Sequence, residues 1–209
     1  MMKDFSQNGE SKILQGIFEQ IGTLEKFAIE FGASDGYWLS NIRMFIDYLD
    51  WSSLQFECCT ELKNNVKKEF ITKDNINEIF SKHNVPKKFD LLSIDIDGND
   101  YWVWKELNYE PSVVIIEYNS NFGHGESYAL TYNPGHNFHI DGNAYSASLT
   151  AFLKLSESKG YFLHDEINST NLIFVKNEFK GILNERDPLS IKLPVQNHKG
   201  KQIKYFTEI

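Results

Sequence analysis

Short, nearly continuous apolar segments alternate with amphipathic segments along this 209-residue chain, and this alternation constrains the fold more than any other feature. The strongest apolar segments are FDLLSID at 89–95 and SVVIIEY at 112–118. Strands that are apolar throughout are typical of a parallel sheet whose two faces are both covered by helices. We therefore predict an α/β fold with a doubly wound sheet.

Periodicity places the individual elements. The predicted helices cover 8–22, 42–49, about 60–67, 75–84, 100–107 and 145–159, and the predicted strands cover 27–31, 52–57, 70–71, 89–95, 112–118, 160–166 and 171–177. Only the residues 167–170 separate the last two strands, and so short a link suits an antiparallel hairpin. The stretch 119–143 has no clear period, and a long irregular loop in a compact domain is usually functional or disordered. We predict one domain over 1–183, followed by a C-terminal tail over 184–209.

Composition narrows the class of partner. The chain carries 21 Lys and Arg against 29 Asp and Glu, a net charge of −8. Nucleic-acid-binding domains usually show a basic surplus, so a nucleic-acid partner is not expected. No apolar run approaches the roughly 18 residues of a membrane span, and the adjacent Cys58 and Cys59 rarely satisfy disulfide geometry. We expect a cytoplasmic protein without a membrane partner, whose oligomeric state the sequence leaves open.

The segment EFGASDG at 30–36 follows a predicted strand and precedes a helix. Glycines in such a turn let a ligand approach the backbone closely. Neither the G-x-G-x-x-G spacing nor the phosphate-loop Gly-Lys-Ser/Thr is present, and an acidic residue here suits a cationic ligand with an amino group. Glu57 ends the next strand, where doubly wound folds place a carboxylate that accepts hydrogen bonds from ribose hydroxyls. The alternatives are an ordinary turn and a solvated glutamate.

Acidic side chains also follow the two strongest strands. Asp95, Asp97 and Asp100 come directly after 89–95, and carboxylates without partners are costly to bury, so we expect them at the open edge of the sheet. Glu117 and Asn119 end the next strand. Asp95, Asp97, Glu117 and Asn119 are therefore candidate oxygen ligands for Mg²⁺ or Mn²⁺. The alternative is that Asp97 or Asp100 caps the following helix.

Three histidines, His124, His136 and His139, fall within 119–143. Histidine is the usual general base near neutral pH, so these three join Asp95 as candidate catalytic residues. The alternative for each histidine is that it is simply solvated. We predict that 119–143 is an acceptor-binding loop, because its glycines permit closure and its aromatic residues offer faces for a ring.

Together these motifs resemble the class I S-adenosylmethionine-dependent methyltransferases, and more closely their FkbM-like branch. The segments that carry the resemblance are SQNGE at 6–10, EFGASDG at 30–36, Ser40-Asn41, Phe56-Glu57, FDLLSIDIDGND at 89–100 and VVIIEYN at 113–119. The resemblance implies a Rossmann-like, mostly parallel sheet of about seven strands that ends in an antiparallel hairpin. FkbM proteins more often carry Glu where this chain has Asp97.

The resemblance also implies a cofactor, S-adenosyl-L-methionine, and its binding residues. The glycine turn would receive the methionine part, Glu57 the ribose, and Asp74 and Asn75 the adenine. The full implied set is Glu30, Gly32, Ala33, Ser34, Asp35, Gly36, Asn41, Glu57, Asp74, Asn75 and Asp95. The implied activity is methylation of a hydroxyl, and the implied partner is a small-molecule or carbohydrate acceptor.

Two other functions are compatible with parts of the pattern. Asp95-Ile96-Asp97 is a D-x-D after an apolar strand, where a sugar-nucleotide glycosyltransferase could hold Mn²⁺ and a diphosphate. The acidic glycine turn and the scarcity of nearby Lys and Arg disfavour that function. The other possibility is a non-catalytic interaction module that keeps the fold.

Overall fold

The computed structural model describes residues 2–58, 64–136, 138, 144–194 and 203–209. Its helices are α1 (Glu10–Ile21), α2 (Arg43–Tyr48), α3 (Ile76–Lys82), α4 (Asp100–Glu106) and α5 (Leu149–Lys159). Its strands are β1 (Phe27–Phe31), β2 (Ser52–Glu57), β3 (Lys67–Lys68), β4 (Lys88–Ile94), β5 (Glu110–Glu117), β6 (Tyr128–Leu130), β7 (Tyr161–Ile167), β8 (Asn171–Lys176) and β9 (Phe206–Glu208). None of the described helices is both long enough and apolar enough to cross a membrane.

Seven of these strands form one sheet in the order β3-β2-β1-β4-β5-β8-β7. The five strands from β3 to β5 are parallel, whereas β8 runs antiparallel to both β5 and β7. The predicted doubly wound, mostly parallel, seven-stranded sheet with an antiparallel C-terminal hairpin is confirmed. This order is the Rossmann-like arrangement that the resemblance implied.

The apolar strands divide their side chains between the two faces of the sheet. In β1, Ala28 packs into a core with α1 and α2, while Ile29 packs into the core with α3, α4 and α5. In β4, Leu91 and Leu92 divide in the same way. Alternate side chains of a strand point to opposite faces, so burial on both faces requires the nearly continuous apolar sequence.

Two predicted elements between β2 and α3 are wrong. Of the predicted helix at 60–67, residues 60–63 lie outside the described part of the chain, and the remainder is a turn followed by β3. Asn64 and Asn65 have φ values of 50° and 67°, in the left-handed region that interrupts a helix. The strand predicted at 70–71 forms earlier instead, where Lys67 and Lys68 pair with the end of β2. Lysines are common on such edge strands because they oppose further pairing.

The loop 119–143 and the tail are joined by a second, two-stranded sheet. Within the loop, β6 pairs antiparallel with β9 of the tail, and Leu130 and Phe206 share a small apolar cluster. Strands of three residues are too short to produce a recognisable period, which explains why neither was predicted. The loop is therefore less irregular than expected.

Candidate functional site

A cleft of about 450 Å³ opens where β1, β2, β4 and β5 end. This volume lies within the range of roughly 300–1,000 Å³ that small-molecule sites occupy. The predicted site residues that line it are Glu30, Gly32, Ala33, Ser34, Asn41, Glu57, Asp95, Asp97, Glu117 and His136. The structure thus brings together residues from across the first 136 positions at the carboxyl edge of the sheet, where doubly wound folds bind ligands.

Gly32 begins the turn after β1 and packs directly against the end of β4. Its φ is 69°, and a Cβ atom built on it would overlap the carbonyl oxygen of Asp95. The two neighbouring strand ends can approach this closely only because position 32 carries no side chain. Two hydrogen bonds then attach the turn to β2: the backbone N–H of Ala33 donates to the Phe56 carbonyl over 3.1 Å, and that of Ser34 to Glu57 Oε2 over 3.0 Å.

Glu30 is buried and organises the loop that closes one side of the cleft. Its carboxylate accepts hydrogen bonds from the Ser40 hydroxyl at 2.7 Å, the Asn41 backbone N–H at 2.7 Å and the Gln55 amide at 2.8 Å. Burial raises the pKa of the Glu30 carboxyl, and these hydrogen bonds oppose the rise. Glu30 therefore acts chiefly as a positioning residue for 40–41.

Glu57 ends β2 and is half-buried at the wall of the cleft. One carboxylate oxygen accepts the Ser34 N–H, and the other accepts the Cys58 N–H at 2.7 Å. A carboxylate has about four acceptor sites in all, so its chemistry suits ligand hydroxyl groups as well as backbone N–H groups. The glycine turn thus fixes the orientation of the carboxylate predicted to bind ribose.

Three carboxylates meet on the floor of the cleft. Asp95, Asp97 and Glu117 each present an oxygen, and these oxygens lie within 4.8 Å of one another. The turn that carries the first two is closed by Asp100, whose fully buried carboxylate accepts the N–H groups of Ile96 at 2.8 Å and Gly98 at 2.9 Å. Asp100 is thus a structural residue that fixes the acidic turn, and burial raises its pKa to about 6.

Ionisation is costly for Asp95 and Glu117, since the described lining offers them no Lys or Arg. Burial, together with the negative charges of Asp100, Asp97 and Glu30, raises the pKa of Asp95 to about 8. Burial, followed by the charge of Asp95, also raises the pKa of Glu117 well above its usual value. The buried Oε2 atom of Glu117 has no hydrogen-bond partner among the described residues. A carboxyl oxygen in this situation favours a bound cation or a donor from a ligand.

Several predicted residues lie outside the lining. Asp35 Oδ1 accepts the backbone N–H groups of Tyr37 and Trp38 and so shapes the loop after the glycine turn. Gly36 has a φ of 81°, and a Cβ on it would lie 3.0 Å from Val66 and 3.1 Å from Gln55. Both residues support the turn from behind.

Asp74 and Asn75 support the wall of the cleft on the far side of β2. The Asn75 amide donates to the Phe70 carbonyl at 2.8 Å, and Asp74 accepts the Tyr132 hydroxyl at 2.6 Å. Phe70 and Ile71, together with Glu69, line the cleft there instead of Asp74 and Asn75.

The contacts of Asn119 and His124 indicate structural roles. The side-chain oxygen of Asn119 accepts two hydrogen bonds from Asn121, and its amide donates to the Tyr145 carbonyl at 3.1 Å. A ring nitrogen of His124 lies 3.1 Å from the Ile191 carbonyl oxygen. Neither residue lines the cleft.

His136 is the predicted histidine that reaches the cleft. Its ring packs on the backbone of Gly98, where a Cβ atom would overlap the ring and lie 3.2 Å from Nε2. The ring therefore sits directly over the acidic turn. His139 lies outside the described residues.

The lining also contains residues that the sequence analysis did not single out as site residues. They are Gln7, Trp38, Leu39, Ser40, Phe56, Cys58, Glu69, Phe70, Ile71, Ser93, Ile96 and Asn99, besides Phe31. Gln7 belongs to SQNGE, a segment that carried the resemblance without an assigned role. Phe70 and Ile71 were expected in a strand, and nothing in their sequence marks them as ligand contacts.

The charged side chains among the described residues that line the cleft are acidic. The acidic residues of the lining are Glu30, Glu57, Glu69, Asp95, Asp97 and Glu117. No Lys or Arg occurs among the described residues that line the cleft. Such a lining favours a ligand with positive charge and hydroxyl donors, and disfavours a diphosphate.

No protein-family model and no curated protein matches the chain. Among solved structures, the chain is similar to an S-adenosylmethionine-dependent methyltransferase from Clostridium acetobutylicum. The two are 10% identical with a TM-score of 0.47, and the match covers 79% of this chain and 90% of the other. The strand order of the sheet, and not this similarity, establishes the fold described above.

Proposed function

We propose that the protein is an S-adenosylmethionine-dependent methyltransferase. The observation that supports this proposal best is the position of Glu57, whose carboxylate is oriented by the glycine turn. It lies in a cleft whose described lining has no Lys or Arg. A carboxylate in this place suits the two hydroxyls of a ribose. The FkbM-like branch, inferred from the sequence segments, is part of the same proposal.

The residues present fit the cofactor. The acidic lining complements a sulfonium and an ammonium group, and the volume suits a ligand of this size. When bound, S-adenosylmethionine supplies a methyl group on a good leaving group. The protein's task is then to hold an acceptor in line with that methyl and to exclude water.

We further propose that the acceptor is a hydroxyl of a sugar or small metabolite. Burial and neighbouring carboxylates raise the pKa of Asp95 to about 8, so its ionised form is the minor one at pH 7 but a stronger base toward such a hydroxyl than an ordinary carboxylate. His136 lies over the same acidic turn and offers a second polar contact. The loop 119–143, which carries His136, is proposed to cover the acceptor.

A divalent cation at Asp95, Asp97 and Glu117 is a proposal of its own, supported by the unpartnered Glu117 oxygen. Mg²⁺ and Mn²⁺ prefer oxygen ligands, and either would lower the cost of deprotonating a hydroxyl. Titration with Mn²⁺ alone, followed by electron paramagnetic resonance, should show binding that Glu117→Gln weakens by roughly tenfold or more. The matched control is Glu157→Gln, on an exposed part of α5. Absence of Mn²⁺ binding, or equal affinity in both variants, would contradict the metal site.

Calorimetry with S-adenosylhomocysteine tests the cofactor site directly. Glu57→Ala should weaken binding by about 1–3 kcal/mol, because the ribose hydroxyls lose a charged acceptor. The control Glu157→Ala removes an exposed carboxylate outside the cleft and should bind as the wild type does. Equal affinity of the Glu57 variant and the wild type would refute the assignment.

A further inference from the structure

The SQNGE segment at 6–10 is built against the cofactor cleft, although the proposed function gives it no role. Ser6 forms a parallel bridge with Leu39, and the Ser11 hydroxyl donates to the Asn41 carbonyl at 3.1 Å. Glu10 is fully buried and accepts hydrogen bonds from the Asn8 backbone at 2.7 Å and the Asn171 amide at 3.1 Å. These contacts hold the segment in place and leave Gln7 in the lining of the cleft.

The described lining of this cleft contains no cationic hydrogen-bond donor from Lys or Arg. The amino-acid end of S-adenosylmethionine carries a carboxylate as well as an ammonium group, and the lining offers that carboxylate no Lys or Arg among the described residues. Most backbone N–H groups of the glycine turn and its following loop already have partners. Those engaged in this way belong to Ala33, Ser34, Gly36, Tyr37, Trp38, Ser40 and Asn41.

The side-chain amides of the lining differ in their availability. The Asn41 amide donates to the Ser93 hydroxyl at 3.0 Å, and the Asn99 amide donates to the Asn133 carbonyl at 2.8 Å. The exposed Gln7 side chain makes no hydrogen bond to any residue in the described ranges. The side-chain amide of Gln7 can therefore donate a hydrogen bond to a ligand in the cleft.

We propose that Gln7 is a positioning residue for the cofactor, whose side-chain amide donates to the carboxylate of the methionine part. The inference rests on the proposed function. A neutral amide suits this cleft better than a cation, because Lys or Arg here would repel the sulfonium and pair with the acidic lining. Gln7 would then distinguish ligands with an amino-acid end from ligands without one.

The test compares two ligands that share the adenosine part. S-Adenosylhomocysteine carries the amino-acid end, and 5′-methylthioadenosine lacks it. In calorimetry, Gln7→Ala should weaken binding of S-adenosylhomocysteine by roughly 10-fold or more, as expected for a hydrogen bond to a charged group. Binding of 5′-methylthioadenosine should change by less than about twofold, because the lost amide contacts only the carboxylate.

Two further variants sharpen the comparison. Gln7→Glu should weaken S-adenosylhomocysteine binding more than Gln7→Ala, since two carboxylates would then face each other. Gln20→Ala, at an exposed glutamine of α1 outside the cleft, is the matched control and should leave both affinities unchanged. Circular dichroism should show native folding in all three variants, because neither glutamine is buried.

The outcomes separate this inference from the function on which it rests. If the wild type binds S-adenosylhomocysteine and Gln7→Ala changes both affinities equally, or neither, Gln7 does not hold the carboxylate. If the wild type binds neither ligand, the proposed function fails and the role of Gln7 fails with it.

Discussion

Gly32→Ala should destabilise the protein and disrupt the cofactor cleft together. The glycine has a φ of 69°, and an added Cβ would overlap the Asp95 carbonyl oxygen and lie 3.0 Å from its carbon. Both atoms belong to the backbone at the end of β4, so no side chain can move aside. The substitution must therefore separate the ends of β1 and β4, between which the cleft is built.

The magnitude follows from two contributions. Left-handed backbone costs a residue with a Cβ about 1–2 kcal/mol relative to glycine. Overpacking against a fixed neighbour adds about 1–3 kcal/mol. We expect Gly32→Ala to lower the free energy of unfolding by roughly 2–5 kcal/mol, measured by urea denaturation, and to abolish measurable binding of S-adenosylhomocysteine.

Gly125→Ala isolates the first contribution from the second. Gly125 has a φ of 80°, and a Cβ on it would meet nothing within 4 Å. This control should show only the conformational cost of about 1–2 kcal/mol. Equal losses of stability in the two variants would refute the close approach of Gly32 to β4.

Three further expectations follow from other contacts. In the folded state the pKa of Asp95 is raised to about 8 from a usual 3.8, so the folded protein binds this proton more tightly than the unfolded chain does. The free energy of unfolding should therefore fall as pH rises from about 4 to about 8. Urea denaturation should show a weaker fall in Asp95→Asn. Tyr132→Phe removes the hydrogen bond to Asp74 and should lower the free energy of unfolding by about 0.5–1.5 kcal/mol, with faster hydrogen exchange confined to the neighbouring loop. Unchanged exchange would contradict a stabilising role for this hydrogen bond. His136→Ala should leave S-adenosylhomocysteine affinity within about twofold of wild type, because no cofactor contact is assigned to the ring, whereas a larger loss by calorimetry would move His136 into the cofactor site.

The sequence predicted the sheet well because its strands are buried on both faces. In β4 and β5 every residue except Lys88, Glu110 and Glu117 is buried, and the run of Val113 to Ile116 is apolar throughout, so the sequence pattern predicted both strands and their parallel pairing. The short 167–170 link likewise identified the hairpin of β7 and β8. In contrast, β3 has two residues and β6 and β9 have three each, and their positions depend on partners that are distant in sequence.

The sequence predicted those site residues that lie at the ends of strands. Glu57, Asp95 and Glu117 each lie at or just beyond the end of a parallel strand, so the topology alone brings them to one edge. Gln7 and Phe70 reach the cleft through loop contacts, which no local pattern reveals. Asn119 has suitable chemistry for a metal, but its side chain is occupied by hydrogen bonds that only the folded loop creates.

A thermal-shift titration tests the central claim most directly. S-Adenosylmethionine at about 100 times its dissociation constant should stabilise the folded state by about 2.7 kcal/mol, and thus raise the melting temperature by roughly 5–10 °C. UDP-glucose or GDP-mannose with Mn²⁺ should produce no shift beyond that of Mn²⁺ alone. A shift with a nucleotide sugar, and none with S-adenosylmethionine or S-adenosylhomocysteine, would contradict the account.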